Sequence, residues 1–255
     1  MGASIVITSG KGGTGKTTVT AGLGACLAAL GKKVVCVDAD AGARNLDLAL
    51  GMSHALTSAR DLADALREPD APDAAMTEHP SVPGLFLIPA PLTRGLDELD
   101  DDHFTHLIET LESRADFVLV DCCAGLGSGF RSATEACRRA IVVSTAEKPS
   151  LRVAARAASL LQPGRRAALI VNRVNPRMIK SRYAPNVDDM MDEVGLPLLG
   201  LIPEDEMVPA ALHLGLAPTL TGGTGAAAAF LRVARRLTGE SIPLRRLKRW
   251  QIASN

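Results

Sequence analysis

The stretch that decides the fold lies near the start: "TSGKGGTGKTT", Thr8 to Thr18. Within it, Gly10-Lys11-Gly12-Gly13-Thr14-Gly15-Lys16-Thr17 satisfies G-x-x-x-x-G-K-[ST], with the apolar run "SIVITS" before it and helical spacing, Thr17 to Leu30, after it. Strand, glycine loop and helix in that order make a phosphate cradle. Glycines let backbone N–H groups curl around phosphates, and the helix N-terminus adds partial positive charge. Gly12, Gly13, Thr14 and Gly15 then wrap the phosphates, Lys16 reaches the β/γ oxygens, the Thr17 hydroxyl can ligate Mg²⁺, and Thr18 is placed for the α-phosphate. The rival reading is a glycine turn without a ligand. One oddity remains, because the loop carries a second lysine, Lys11, that phosphate binding alone does not need.

Outward from the loop, apolar and β-branched runs recur: "KVVCVD", "LFLIPA", "FVLVDC", "AIVVST", "AALIVNR" and "LLGLIP". Helical spacing returns between them, at Pro149 to Leu161 and Val187 to Val194. Continuous rather than alternating apolar runs mean strands covered on both faces. The predicted class is therefore α/β and doubly wound, a mostly parallel sheet of about seven or eight strands with helices on both faces, of the P-loop NTPase type. Ligands in such sheets sit beyond the carboxyl ends of the strands, so the residues that follow each run are the ones to read for function. The proline-rich segment Pro69 to Pro83 reads as a surface excursion, and "DELDDD", Asp97 to Asp102, as a solvated helix start.

At 255 residues and 47% hydrophobic, the chain is long enough for one sizeable core and short for two. We expect one soluble domain over residues 1–240, followed by a basic tail over 241–255. Lys and Arg number 28 and so do Asp and Glu, so the overall field does not favour coating nucleic acid, and no sequence-specific nucleic-acid contact is expected. The five cysteines follow no secreted framework and form no C-x-x-C pair; most read as small buried hydrophobes in a reducing cytosol. No apolar segment approaches a membrane span, and "MGASIV" fails the myristoylation pattern at Val6.

The pattern K-G-G-x-G-K-[ST] resembles the deviant Walker A signature of the MinD/ParA family of ATPases. The resemblance implies ATP and Mg²⁺ as cofactors, slow ATP hydrolysis without partner activation, and an ATP-dependent homodimer in which Lys11 crosses to the partner's phosphates, in the manner of an arginine finger. A lysine that merely decorates its own loop is the alternative. After "KVVCVD", the stretch "ADAGARNLDLALG" resembles the family's switch I, which implies that Asp40 orients the attacking water and that Asn45 belongs to the catalytic set; a helix cap is the plainer role for Asp40. After "FVLVD", the stretch "CCAGLGSG" resembles switch II: Asp121 would hold Mg²⁺ through water, and the Gly125 amide would meet the γ-phosphate. Here the chain departs from the family pattern D-[ST]-P-x-G, with Cys123 in place of the proline and its φ constraint. "LIVNRVNP" and "LIPEDEMV" resemble adenine-binding elements, implying base contacts from Asn172, Arg173 and the turn Pro203, Glu204, Asp205. A turn or helix cap is the alternative role for Asn172.

The resemblance runs from Ser4 to about Leu216 and is nearest the branch that places the division site. That branch implies a division inhibitor or regulator as partner and a cytoplasmic protein that becomes peripheral on the inner face of the cell membrane in its ATP state. Members that answer to a MinE-type regulator carry acidic residues after the S-x-R segment, where this chain has Val153, Ala154 and Ala155. DNA-partitioning and flagellar-number ATPases of the same family share the loop and switches, and metallocluster carriers share the fold. In the tail "PLRRLKRWQIASN", Leu244, Leu247 and Trp250 share one helical face, while Arg245, Arg246, Lys248 and Arg249 occupy the rest. Such a segment lies flat on an anionic membrane surface; a solvated tail, or one docked on its own domain, is the alternative.

Overall fold

Every expected apolar run is a strand in the computed structural model of the chain, which describes residues 2–41, 43–56, 60–91, 101–217, 219 and 225–244. The strands are β1 (Ala3–Thr8), β2 (Val34–Asp38), β3 (Thr77–Glu78), β4 (Leu85–Ile88), β5 (Phe117–Asp121), β6 (Arg139–Ser144), β7 (Arg166–Val174) and β8 (Leu198–Pro203). Among the described residues they form one sheet in the order β3-β4-β2-β5-β1-β6-β7-β8. All neighbours are parallel except β3, which runs antiparallel to β4.

That exception corrects the reading of Pro69 to Pro83 as surface only. Two residues are too few to show a period, but Pro72, Ala75 and Val82 are buried and pin Thr77 opposite Leu87.

The helices are α1 (Lys16–Ala29), α2 (Leu46–Leu50), α3 (Leu62–Arg67), α4 (Asp101–Arg114), α5 (Ser128–Ala136), α6 (Lys148–Ser159), α7 (Pro176–Lys180), α8 (Val187–Val194), α9 (Met207–His213) and α10 (Gly225–Leu237). Side chains alternate across each strand, so Ile5 and Ile7 join one core with Leu23 and Leu27 of α1 and Phe230 of α10, while Val6 joins another with Phe104 of α4 and Phe130 of α5. Both faces of the sheet are therefore covered. α1 is buried on nearly every side, clamped between β1, β2 and β5 on one flank and α10 on the other. Of the expected helix start at Asp97 to Asp102, the part before Asp101 lies outside the described residues. So does the tail beyond Leu244.

The chain leaves β1 in one direction toward β2 and β4, and places β6, β7 and β8 on the other side. β1 is thus where the winding reverses, and a crevice opens at its carboxyl end. Three strands end together there: Ile7 sits opposite Asp121, and Asp121 opposite Asp38.

Candidate nucleotide site

The loop from Gly10 to Gly15 leaves β1 and feeds directly into α1. Gly13 and Gly15 have φ of 79° and 89°, the left-handed region that side chains avoid, and Gly15 is the N-cap of α1. A Cβ at Gly10 would fall 2.3 Å from Cγ1 of Val153, so α6 backs the loop at the very position where the sequence departs from the acidic pattern. Ala154 beside it is core, and a carboxylate there would need a partner.

Inside the loop the lysines divide. Lys16 is buried at the start of α1, while Lys11 is half exposed, with Nζ 3.8 Å from the well-exposed Glu147. Such a weak, solvated contact leaves Lys11 available to a stronger anion. The Thr14 hydroxyl is buried without a hydrogen-bond partner among the described residues, and at Gly12 and Gly13 a Cβ would meet only open space. An orphan hydroxyl, open space at the loop glycines and a buried ammonium fit a phosphate chain.

Beneath the loop lies Asp121, almost fully buried at the end of β5. It accepts from the Thr20 hydroxyl at 3.2 Å, and Thr20 also donates to the Lys16 carbonyl at 3.0 Å; Thr17 stands close enough to act on the same carboxylate. Burial pushes the Asp121 carboxyl up to about 6, against the pull of Thr17 and Lys16. No three His, Cys, Asp or Glu side chains converge as a metal centre among the described residues. One hydroxyl and one carboxylate nonetheless suit Mg²⁺, which keeps several waters and takes its other ligands from phosphate.

Across the β2–β5 pair stands a carboxylate that motif reading missed, Asp38. It is fully buried, and its oxygens accept from the backbone N–H of Asp40 at 3.0 Å and of Leu46 at 3.2 Å. Burial first, then repulsion from Asp121, raises it to about 7. The signal was present: "VVCVD" ends on an aspartate as "FVLVD" does. Asp38 thereby moors both Asp40 and the start of α2. Asp40 itself is partly exposed and close enough to Asp38, Asp121 and Cys123 to influence all three.

Other expected residues fall differently. Asn45 precedes α2 but is exposed, and its side chain makes no capping bond. Gly125 has φ 100° in the loop after β5, with open space at its α-carbon. Asn172 does not present its whole amide outward: it is buried where the pairing of β7 with β8 is irregular, and Nδ2 donates to the Thr14 carbonyl at 2.9 Å. It braces the phosphate loop. Arg173, at φ 54°, is exposed and lies 3.8 Å from Glu204, making a rim with Pro203. Asp205 is committed elsewhere, since its two oxygens accept from Met207 N at 3.0 Å and Ala226 N at 2.8 Å, tying α9 to α10.

Cys122 and Cys123 follow Asp121 directly. The influence of the two adjacent thiols on each other, ahead of burial, holds the Cys122 thiol well above the usual range and draws the partly exposed Cys123 thiol down to about 7. The other three cysteines are buried, as expected.

Comparison with known proteins agrees with this geometry. Residues 5–218 match the CobQ/CobB/MinD/ParA nucleotide binding domain. The septum site-determining protein MinD of Synechocystis is 39% identical over 242 residues, covering 94% of this chain and 90% of that one. Among solved structures, a chain of the Aquifex aeolicus MinC:MinD cell division complex superposes with a TM-score of 0.88 at 36% identity, covering 96% of this chain and 98% of that chain. The Pyrococcus horikoshii MinD complexed with Mg-ADP gives 0.82 at 29%, covering 95% and 100%. With the family model matched over most of its length and a relative of this identity and coverage, the chain belongs to the MinD/ParA family of P-loop nucleotide-binding proteins.

Proposed function

We propose that this protein is a division-site ATPase: it binds ATP with Mg²⁺, pairs with a second copy in the ATP state, attaches reversibly to the inner face of the cell membrane, and hydrolyses ATP slowly until a partner stimulates it. The single observation that carries the reading is the division of the loop lysines. Lys16 is buried against Thr17 and Asp121, while Lys11 stands half exposed on the outer side of the same loop. One cation serves the bound phosphates in cis, and the other is free to serve them in trans.

In this mechanism Lys16 and the amides of Gly12 to Gly15 hold the phosphate chain, and Thr18 lies beside the α-phosphate. Thr17 and Asp121, the latter through water, hold Mg²⁺, which neutralises phosphate charge. Asp40 orients the attacking water, its backbone fixed by Asp38, with Asn45 at the edge of the same segment. The Gly125 amide senses the γ-phosphate. Asn172 keeps the loop in shape and offers its remaining amide atoms toward the base, with Arg173, Pro203 and Glu204 at the rim; the part of Asp205 is to hold that turn in place.

The relatives' names support the cellular role, and the solved MinC:MinD complex supports a division inhibitor as partner. No helix among the described residues is long and apolar enough to cross a membrane; in this reading attachment is made by the basic tail, through the apolar and basic residues its sequence carries. Two tails on one dimer bind as a linked pair, and avidity adds roughly 100-fold or more. The test is flotation with anionic liposomes and co-sedimentation with plain DNA, each with ATP and ADP, using the full chain and a truncation after Glu240. ATP-dependent liposome binding lost on truncation is expected. Binding that ignored nucleotide or survived truncation would overturn the anchor, and ATP-dependent DNA binding would favour a partition role.

A further inference from the structure

The Cys122–Cys123 pair stands where three parts of the site meet. Cys122 continues β5: its N–H donates to the Ile7 carbonyl of β1 at 3.1 Å, and its buried thiol lies 3.8 Å from the Gly129 carbonyl. Cys123 is the next residue and is partly exposed, on the side of Lys16 and Asp40. Its sulfur occupies the space left by a missing side chain, because a Cβ at Gly129 in the first turn of α5 would come within 2.8 Å of it. The result is a pair of adjacent thiols beside the nucleotide crevice, one partly exposed and one buried. Two residues further on is Gly125, whose φ of 100° sets the direction of its amide.

We propose that Cys122 and Cys123 form a reversible oxidation site that gates nucleotide loading, a regulation that rests on the ATP-binding reading above. The oxidant is a hydroperoxide. The partly exposed Cys123 sulfur attacks the peroxide oxygen, the O–O bond breaks, and one water or alcohol leaves with the thiol proton, giving a sulfenic acid. The Cys122 sulfur then attacks the sulfenic sulfur, the S–O bond breaks, and the hydroxyl leaves as water with the second thiol proton. Two thiols and one peroxide thus yield one disulfide, and an external dithiol restores both thiols by exchange.

The chemistry couples to the switch through backbone geometry. Successive α-carbons across a trans peptide lie about 3.8 Å apart, whereas disulfide-bonded cysteines stand about 4.4 Å apart or more. That spacing is fixed by the planar peptide, so the ring closes only with the dihedrals at Cys122 and Cys123 changed, which redirects the chain that leads to Gly125. A bond made under that strain is also easily reduced. Misaiming one amide that binds phosphate removes a charge-assisted hydrogen bond, which weakens ATP binding roughly tenfold or more.

The experiment uses the full-length protein without nucleotide, treated with hydrogen peroxide, alkylated and digested with trypsin. Residues 115–131 then form one peptide that contains both sulfurs and no other cysteine. Expected are loss of both alkylation sites in that peptide, recovery after dithiothreitol, and a roughly tenfold weaker affinity for a fluorescent ATP analogue in the oxidised state only. Cys122→Ser should stop at a sulfenic acid trapped by dimedone, and Cys123→Ala should show neither change. A pair that stays fully alkylated, or an oxidised protein that binds the analogue as tightly as the reduced one, overturns the proposal. Failure of the reduced protein to bind the analogue would instead overturn the ATP reading, while the peptide masses still decide the oxidation.

Discussion

Lowering the pH should stabilise the nucleotide-free protein, the reverse of ordinary acid denaturation. Asp38 and Asp121 face each other across β2 and β5, both buried, raised to about 7 and about 6 respectively. An unfolded aspartate titrates near 3.9, so between roughly pH 4 and 7 the folded chain holds a proton that the unfolded chain has released. The unfolded state binds fewer protons in that window, and stability therefore falls as pH rises through it, by about 1.4 kcal/mol per pH unit per group. Asp38 alone spans about three pH units, which gives about 4 kcal/mol as an upper bound. The two carboxyls repel each other, so their contributions do not add. The assay is urea denaturation of protein free of metal and nucleotide, from pH 5.5 to 8, for wild type and Asp38→Asn. The wild-type midpoint should climb by the equivalent of about 2 kcal/mol as pH falls across this window, and the variant should show a much flatter profile. A midpoint that is level or rises with pH across this window would refute the buried, mutually repelling pair. If the pair stands, the apo protein is held in tension that a divalent cation relieves, and Mg-nucleotide should flatten the profile as the variant does.

Three further outcomes follow from the site. Lys11→Ala should bind Mg-ATP yet fail to dimerise, whereas Asp40→Ala should dimerise and remain so; light scattering with ATP separates them, and two variants indistinguishable from wild type would exclude the trans lysine. Lys16→Ala should remove Mg-ATP binding or turnover altogether, checked by phosphate release, and unchanged activity would discard the loop assignment. Gly15→Ala forces a side chain onto φ +89° and to within 2.3 Å of Asn172 Nδ2; it should cost about 1–2 kcal/mol from backbone strain alone, visible as a lower urea midpoint, together with weakened nucleotide binding.

How much of this was legible in the sequence follows from how far apart the interacting residues lie. The phosphate loop could be read directly, because its conformation is set by glycines within a few residues of one another and by the strand and helix that flank them. The doubly wound class could be read for a similar reason: a strand buried on both faces must be apolar throughout. Asp121 ends such a run and Asp40 lies two residues past one, and the resemblance of the adjoining segments to the family's switches singled them out. Asp38 stood in the same kind of place, but only the pairing of β2 with β5 brings it against Asp121 and gives its burial a consequence. Asn172 was visible as a residue of interest, yet its bond to Thr14 spans 158 positions. The same holds for Val153 against Gly10 and for Asp205 between α9 and α10. A side chain's chemistry is written at its own position. Whether its hydrogen bonds go to a ligand or to another part of the chain depends on neighbours that only folding brings within about 3 Å.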